Sequence, residues 1–176
     1  MQHYVIISGT NRPDALSPAV ARIYAGLLQQ EGVEAPVVDL RELPHDYIHS
    51  ALYDKAGQHE AFNVLRDRMK QANKFVFIIP EYNGSFPGVL KAFIDGLEFP
   101  ATFRGKKAAL VGISAGQMGS VQAMSHFTDI LNYCGTHVLA RKPRLTAIEQ
   151  HLSGERLTHQ PYLEQLRKQM RELIAF

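Results

Sequence analysis

Short apolar runs separated by longer helical stretches constrain the fold of this chain more than any other feature. The runs are YVIIS at 4–8, APVVDL at 35–40, KFVFII at 74–79, AALVGI at 108–113 and THVL at 136–139. A run this short, bounded by turn residues, reads as a strand covered on both faces. Between the runs, apolar residues recur at spacings of three and four. Val20, Ile23, Leu27 and Leu28 form one stripe, and Phe62, Leu65, Met69 and Ala72 a second. A third helix is predicted from Phe86 to Leu97 with Val89, Leu90, Phe93 and Ile94 inward, and a fourth from near Gly119. Pro161 opens a last one carrying Leu163, Leu166, Met170 and Leu173. Ser17 reads as an N-cap with Pro18 as the first helical residue. Residues 41–57 carry a weaker pattern and read as a loop.

Strands alternating with helices imply a parallel sheet with helices on both faces, since each crossover is right-handed and each helix must bury a face. Five strands suit the doubly wound, three-layer α/β/α arrangement of strand order 2-1-3-4-5, which is flavodoxin-like. The 176 residues suit one domain spanning 1–176. A globule of that size buries about 70% of its unfolded surface, so disulfides and structural metals are not needed. The single cysteine, Cys134, has no partner for an internal disulfide, which fits a reducing cytoplasm. It reads as a small packed hydrophobe. The net charge of +2 is spread along the chain and gives no warrant for a nucleic-acid partner. The N-terminal apolar run is too short for a signal peptide, and no run approaches the roughly 18 apolar residues of a membrane span.

Open parallel sheets bind ligands outside the carboxyl ends of their strands, where the strand order reverses. That places the interest in loops 9–17, 80–87 and 114–119. The first reads Ser8-Gly9-Thr10-Asn11-Arg12-Pro13-Asp14-Ala15-Leu16-Ser17. It sets hydroxyls and a guanidinium before a helix N-terminus, whose partial positive charge and unpaired N–H groups favour an anion such as a phosphate monoester. An ordinary polar turn with a solvent-facing arginine has the same composition. No phosphate-binding G-x-x-x-x-G-K-[ST] and no G-x-G occurs, so the dinucleotide fingerprint is absent.

The second loop reads Pro80-Glu81-Tyr82-Asn83-Gly84-Ser85-Phe86-Pro87-Gly88. With G-[ST]-x-R after the first strand, and P-E-Y-N-x-[ST]-x-P-G-x-L-K-x-x-[IL]-D from Pro80 to Asp95, the chain resembles the NAD(P)H-dependent FMN reductase family. That family includes azoreductase-like and quinone-reductase-like members. The resemblance runs from about Tyr4 to Leu139. It is looser in the first loop, where members often carry Asn or Ser-Asn in place of Leu16-Ser17. The resemblance implies that FMN is the cofactor, with Ser8 beside a phosphate site made by Thr10, Arg12 and Ser17. Pro80, Glu81, Tyr82, Asn83 and Gly84 would bed the isoalloxazine ring, with Ser114, Gly116, Gln117 and Gly119 on its far side. It further implies NADPH or NADH as hydride donor and a small acceptor such as free flavin, a quinone or an azo compound. A homodimer or homotetramer is expected, and the flavin carries the chemistry without a catalytic side chain. The loop at 41–57, with Tyr47, Ile48 and Tyr53, is a candidate wall over the flavin.

Two readings compete. Gly112-Ile113-Ser114-Ala115-Gly116 satisfies G-x-S-x-G between a strand and a helix, as a hydrolase nucleophile elbow requires. Asp129 and then His137, His151 or His159 would complete a triad. A flavodoxin-type electron carrier shares the fold, but such carriers are usually acidic. His45 and His49 faintly echo a zinc-binding H-E-x-x-H, yet Pro44 before them argues for a loop, and no metal site is expected.

Overall fold

A computed structural model describes residues 2–176. The first strand, β1 (Tyr4–Ser8), leads into helix α1 (Ser17–Gln30) and strand β2 (Val37–Asp39). A single 3-10 turn at Leu40–Glu42 shortens β2 from the expected 35–40. The stretch read as a loop at 41–57 holds the one-turn helix α2 (Tyr47–Ser50) and a second 3-10 turn at Tyr53–Lys55. Helix α3 (Glu60–Gln71), strand β3 (Lys74–Pro80), helix α4 (Gly88–Asp95), strand β4 (Lys107–Ile113) and helix α5 (Val121–Tyr133) follow. Strand β5 (His137–Val138) and strand β6 (Arg144–Leu145) come next. Helix α6 (Ile148–His151), a hairpin of β7 (Leu152–Ser153) and β8 (Arg156–Leu157), and the long helix α7 (Gln160–Ala175) complete the chain.

The main sheet has the expected order β2-β1-β3-β4-β5, with β6 as an addition paired to β4. All its pairings are parallel. Side chains alternate between its two faces, as the two-residue period of a strand demands. Phe75, Phe77 and Ile79 face one core with Phe62, Leu90, Phe93 and Phe127 from α3, α4 and α5. Val76 and Ile78 face the other with Tyr24 and Leu28 from α1 and Leu166 and Met170 from α7.

The expected fifth strand at 136–139 is split. His137 and Val138 pair with Lys107 and Ala108, whereas Arg144 and Leu145 pair with Gly112 and Ile113. The gap faces Leu110, and the buried Gln169 of α7 fills it. Its amide Nε2 donates to Leu110 O and to Arg141 O, both at 2.8 Å. A side chain from another layer thus does the work of the missing strand residues.

Two other expectations are corrected in detail. Ser17 is not the N-cap of α1, because it already lies in the helix and Leu16 occupies the cap position without a side-chain bond. Tyr47 is no wall over a ligand. It is buried, stacked on Phe62 with centroids 5.6 Å apart, and its hydroxyl donates to Val89 O. Burial, with Asp95 nearby, pushes its phenol pKa up to about 12. Ile48 and Tyr53 are exposed. Cys134, half-buried against the first core, has its thiol pKa raised by burial, in keeping with a packed hydrophobe.

Candidate functional site

The carboxyl ends of β1, β3 and β4 bring the three loops together. Gly9 hugs the end of β3: its N–H donates to Ile78 O at 2.9 Å, and a Cβ there would lie 2.7 Å from the same oxygen. Only glycine permits that approach. Asn83 and Gly84 take positive φ of 52° and 74°, and Tyr82 and Ser85 exchange backbone hydrogen bonds across them. An Asn-Gly pair with both φ positive is the two-residue hairpin turn that this dipeptide favours. Among the described residues, the N–H groups of Asn83 and Gly84 have no backbone partner.

The loops are tied to one another by side chains. Thr10 is fully buried, and its hydroxyl sits 2.9 Å from Tyr82 Oη while accepting from Arg12 N–H. Glu81 N–H donates to Ile113 O, and its carboxylate accepts from Ser120 N–H at 3.0 Å. That carboxylate therefore sits at the N-terminus of α5, where negative charge is favoured. Gly119 and Ser120 both have left-handed φ just before the helix. A Cβ on Gly119 would strike Arg144 Cβ at 2.6 Å, so the third loop lies close against β6.

One pocket joins these parts. It is lined by Arg12 and Ser17, by Pro80, Glu81 and Tyr82, and by Ile113 and Ser114. Ser8 and Thr10 are buried, Asn83, Gly116 and Gln117 are exposed, and Gly84 lies between these extremes. Sequence reasoning missed Ile148 and Glu149, which complete the wall. Ala147 N–H donates to Gly116 O and Ile148 N–H to Ser114 O. No sequence signal marks this segment, because the contact joins residues some thirty positions apart.

The site fits an anionic cofactor on physical grounds. Ser8 Oγ, Ser17 Oγ and Ser120 Oγ are buried without any protein partner. A buried polar atom left unpaired is costly, so each such case calls for an explanation. Ser17 stands in the first turn of α1, where the backbone N–H groups are also unpaired, and it shares the pocket with Arg12. A phosphate fits there, received by hydroxyl, guanidinium and helix end together.

Ser114 is not built as a nucleophile. Its hydroxyl donates to Gly116 O at 2.8 Å and accepts from Gly119 N–H at 3.0 Å, which staples its own loop. His137 pairs beside Lys107 at the opposite end of β4, about 20 Å away at the rise of a parallel strand. His151 and His159 pack tilted against each other and edge-on against Tyr162, and Asp129 lines a groove between α4 and α5. His45 and His49 are exposed, and no metal-binding group of three or more ligands occurs among the described residues.

A doubly wound flavodoxin-like domain with its pocket at the strand-order reversal defines the class. The family model described as NADPH-dependent FMN reductase matches residues 3–148, and the chain belongs to that family. It is 31% identical over 141 residues to an NAD(P)H-dependent FMN reductase of Pseudomonas aeruginosa, covering 79% of this chain and 74% of that protein. To a 2-hydroxy-1,4-benzoquinone reductase of a Burkholderia species it is 29% identical over 143 residues, covering 80% and 75%. Among solved structures, the flavoenzyme NAD(P)H:(acceptor) oxidoreductase FerB of Paracoccus denitrificans superposes with a TM-score of 0.81 at 22% identity, covering 99% and 96% of the two chains. That likeness carries the fold.

Proposed function

We propose that the chain is an FMN-dependent NAD(P)H oxidoreductase that reduces a small acceptor of the quinone, azo or flavin class. The observation that carries this reading is the pocket where Arg12 and the unpartnered Ser17 hydroxyl meet the first turn of α1, facing the Pro80–Tyr82 segment. Arg12 and Ser17 hold the FMN phosphate. Thr10 supports them from below and fixes Tyr82 through its hydroxyl. Ser8 offers its unpartnered hydroxyl beside Gly9. Pro80, Glu81, Tyr82, Asn83 and Gly84 bed the ring, with the free N–H groups of the Asn83-Gly84 turn facing its polar edge. Ser114, Gly116, Gln117 and Gly119 flank it through close backbone approach. Bound FMN supplies the hydride chemistry between donor and acceptor. The protein orients both partners, excludes water, and offers backbone dipoles to developing negative charge.

The family relatives named for quinone and FMN reduction support this acceptor class. The chain works as one FMN-binding domain and as a homo-oligomer in the cytoplasm. In support of the oligomer, an apolar groove of about 510 Å³ runs between α4 and α5. Beside it the exposed rings of Phe99 and Tyr133 stack at 6.4 Å, the kind of apolar patch that marks an interaction face. Among the described residues no helix is long and apolar enough to cross a membrane.

The test is the absorption spectrum of the purified protein reconstituted with FMN, before and after anaerobic NADPH or NADH. A flavin spectrum that bleaches on addition, and returns when a quinone is supplied, is the expected result. A protein that takes up no FMN defeats the reading. Bound FMN that neither donor reduces would make the chain an electron carrier instead.

A further inference from the structure

The hairpin turn of the second loop rests on α5 through one hydrogen bond that the cofactor reading does not use. Ser85 Oγ lies 3.0 Å from Nδ1 of His126. One helical turn earlier, Gln122 Oε1 would be 3.3 Å from a Cβ on Gly84. Positions four apart share a helix face, so Gln122 and His126 together underlie the turn. α5 is a firm base for it, because Phe127 packs edge-on against Phe86 of the loop and against Phe77 of β3, at 5.3 and 4.9 Å.

An imidazole nitrogen changes its hydrogen-bond role with its proton. Without a proton on Nδ1, the ring accepts from the Ser85 hydroxyl. As imidazolium, Nδ1–H donates to Ser85 Oγ, and the hydroxyl hydrogen turns to another acceptor. The surrounding charges are already engaged or set apart. Glu81 of the same loop is bound to Ser120 N–H. Lys91 and Asp95 of α4 pair with each other at 2.7 Å. Asp129, one turn along α5, lines the α4–α5 groove.

We infer that His126 is a positioning residue for the cofactor turn, acting through Ser85 to hold residues 82–85 in the conformation that receives the flavin. The inference rests on the proposed FMN site. It makes flavin affinity depend on the charge state of an imidazole. The phosphate of FMN has its own second ionisation near pH 6, so riboflavin serves as a second probe.

The experiment titrates the full chain with FMN and with riboflavin between pH 5.5 and 8, following the quenching of flavin fluorescence. Riboflavin affinity is expected to change about three- to tenfold across this range, the scale of one neutral hydrogen bond gained or lost. Ser85→Ala and His126→Gln should both flatten that profile, and His126→Gln, which keeps a hydrogen-bonding group under Ser85, should retain affinity near that of the parent at pH 8. A flat profile in the parent protein overturns the inference, as does one that persists in either variant. If FMN binds at no pH, the cofactor reading falls and takes this inference with it. Binding with a flat riboflavin profile defeats the role of His126 alone.

Discussion

At the two edges of this sheet the chain treats its helix ends in opposite ways. Along the amino edge, lysines close the helix C-termini. Lys74, almost wholly buried, donates from Nζ to Leu173 O and Ile174 O of α7 at 2.8 and 2.9 Å. Lys106 reaches the last carbonyls of α3 at Met69 and Lys70, and Lys107 bonds the carbonyl of Phe176. Cations at helix C-termini match the helix dipole, and the carbonyls they satisfy have no partner within the helix. Burial, with Lys107 nearby, lowers the pKa of Lys74 below that of an ordinary lysine, so this closure carries a desolvation cost. Along the carboxyl edge the N-termini of α1 and α5 stand beside hydroxyls that no protein group satisfies. The chain finishes the amino edge with its own lysines; at the carboxyl edge Glu81 meets the N-terminus of α5, while the first turn of α1 and the Ser17 hydroxyl are left for a ligand to finish. At the pocket, the unpaired Ser17 hydroxyl is therefore informative about function, whereas the lysines at the opposite edge are informative about stability.

Three substitutions can break or sharpen this contrast. Lys74→Met should cause the largest effect, a loss of about 3 kcal/mol of folding stability, because two helix-end carbonyls lose their donor at once. Urea unfolding reads that loss, and FMN affinity should stay within about twofold of the parent. A parallel fall in FMN affinity would mean that the two edges are coupled. Arg12→Ala should do the reverse. FMN binding weakens by about 2 kcal/mol, a factor of roughly thirty, for a lost charge-assisted hydrogen bond. The urea midpoint of the flavin-free protein should hold, and unchanged FMN affinity would defeat the phosphate assignment. Ser17→Ala gives the smallest change and the most telling sign. FMN affinity should drop by about 1 kcal/mol, while the flavin-free protein becomes up to about 1 kcal/mol more stable on losing an unpaired buried hydroxyl. Calorimetry with and without FMN separates the two, and a loss of stability in both states would show the hydroxyl to be structural.

Much of this was legible in the chain because the decisive signals are local. β1, β3 and β4 are continuous apolar runs, and five strands alternating with helices suit the doubly wound order that the sheet has. The turn at Asn83-Gly84 is written in its dipeptide, and the long match from Pro80 to Asp95 points to the cofactor class. What escaped depends on contacts between distant residues. The split of the fifth strand is set by Gln169, which lies some thirty residues further on and fills the place opposite Leu110. Tyr47 looked available to a ligand because nothing nearby in sequence announces its stacking on Phe62. Ser17 followed by Pro18 has the look of a cap, yet the helix begins one residue earlier and leaves the hydroxyl unpaired. Glu149 entered the pocket wall only through the backbone bonds that dock its segment onto the third loop.

The divided fifth strand also bears on how copies of this protein meet in a crowded solution. A sheet edge invites another chain when it presents a long, flat row of free N–H and C=O groups. Here the outer edge beyond β4 consists of two-residue pieces, His137–Val138 and Arg144–Leu145, separated by a detour. Basic side chains at Lys142 and Arg144 flank the same stretch, beside Arg141, which pairs with Glu172. An incoming strand would find at most one or two groups to pair with before the register broke and like charges met. The interruption thus guards the molecule against edge-to-edge aggregation, and a variant that fused the pieces into one straight strand would put that protection at risk.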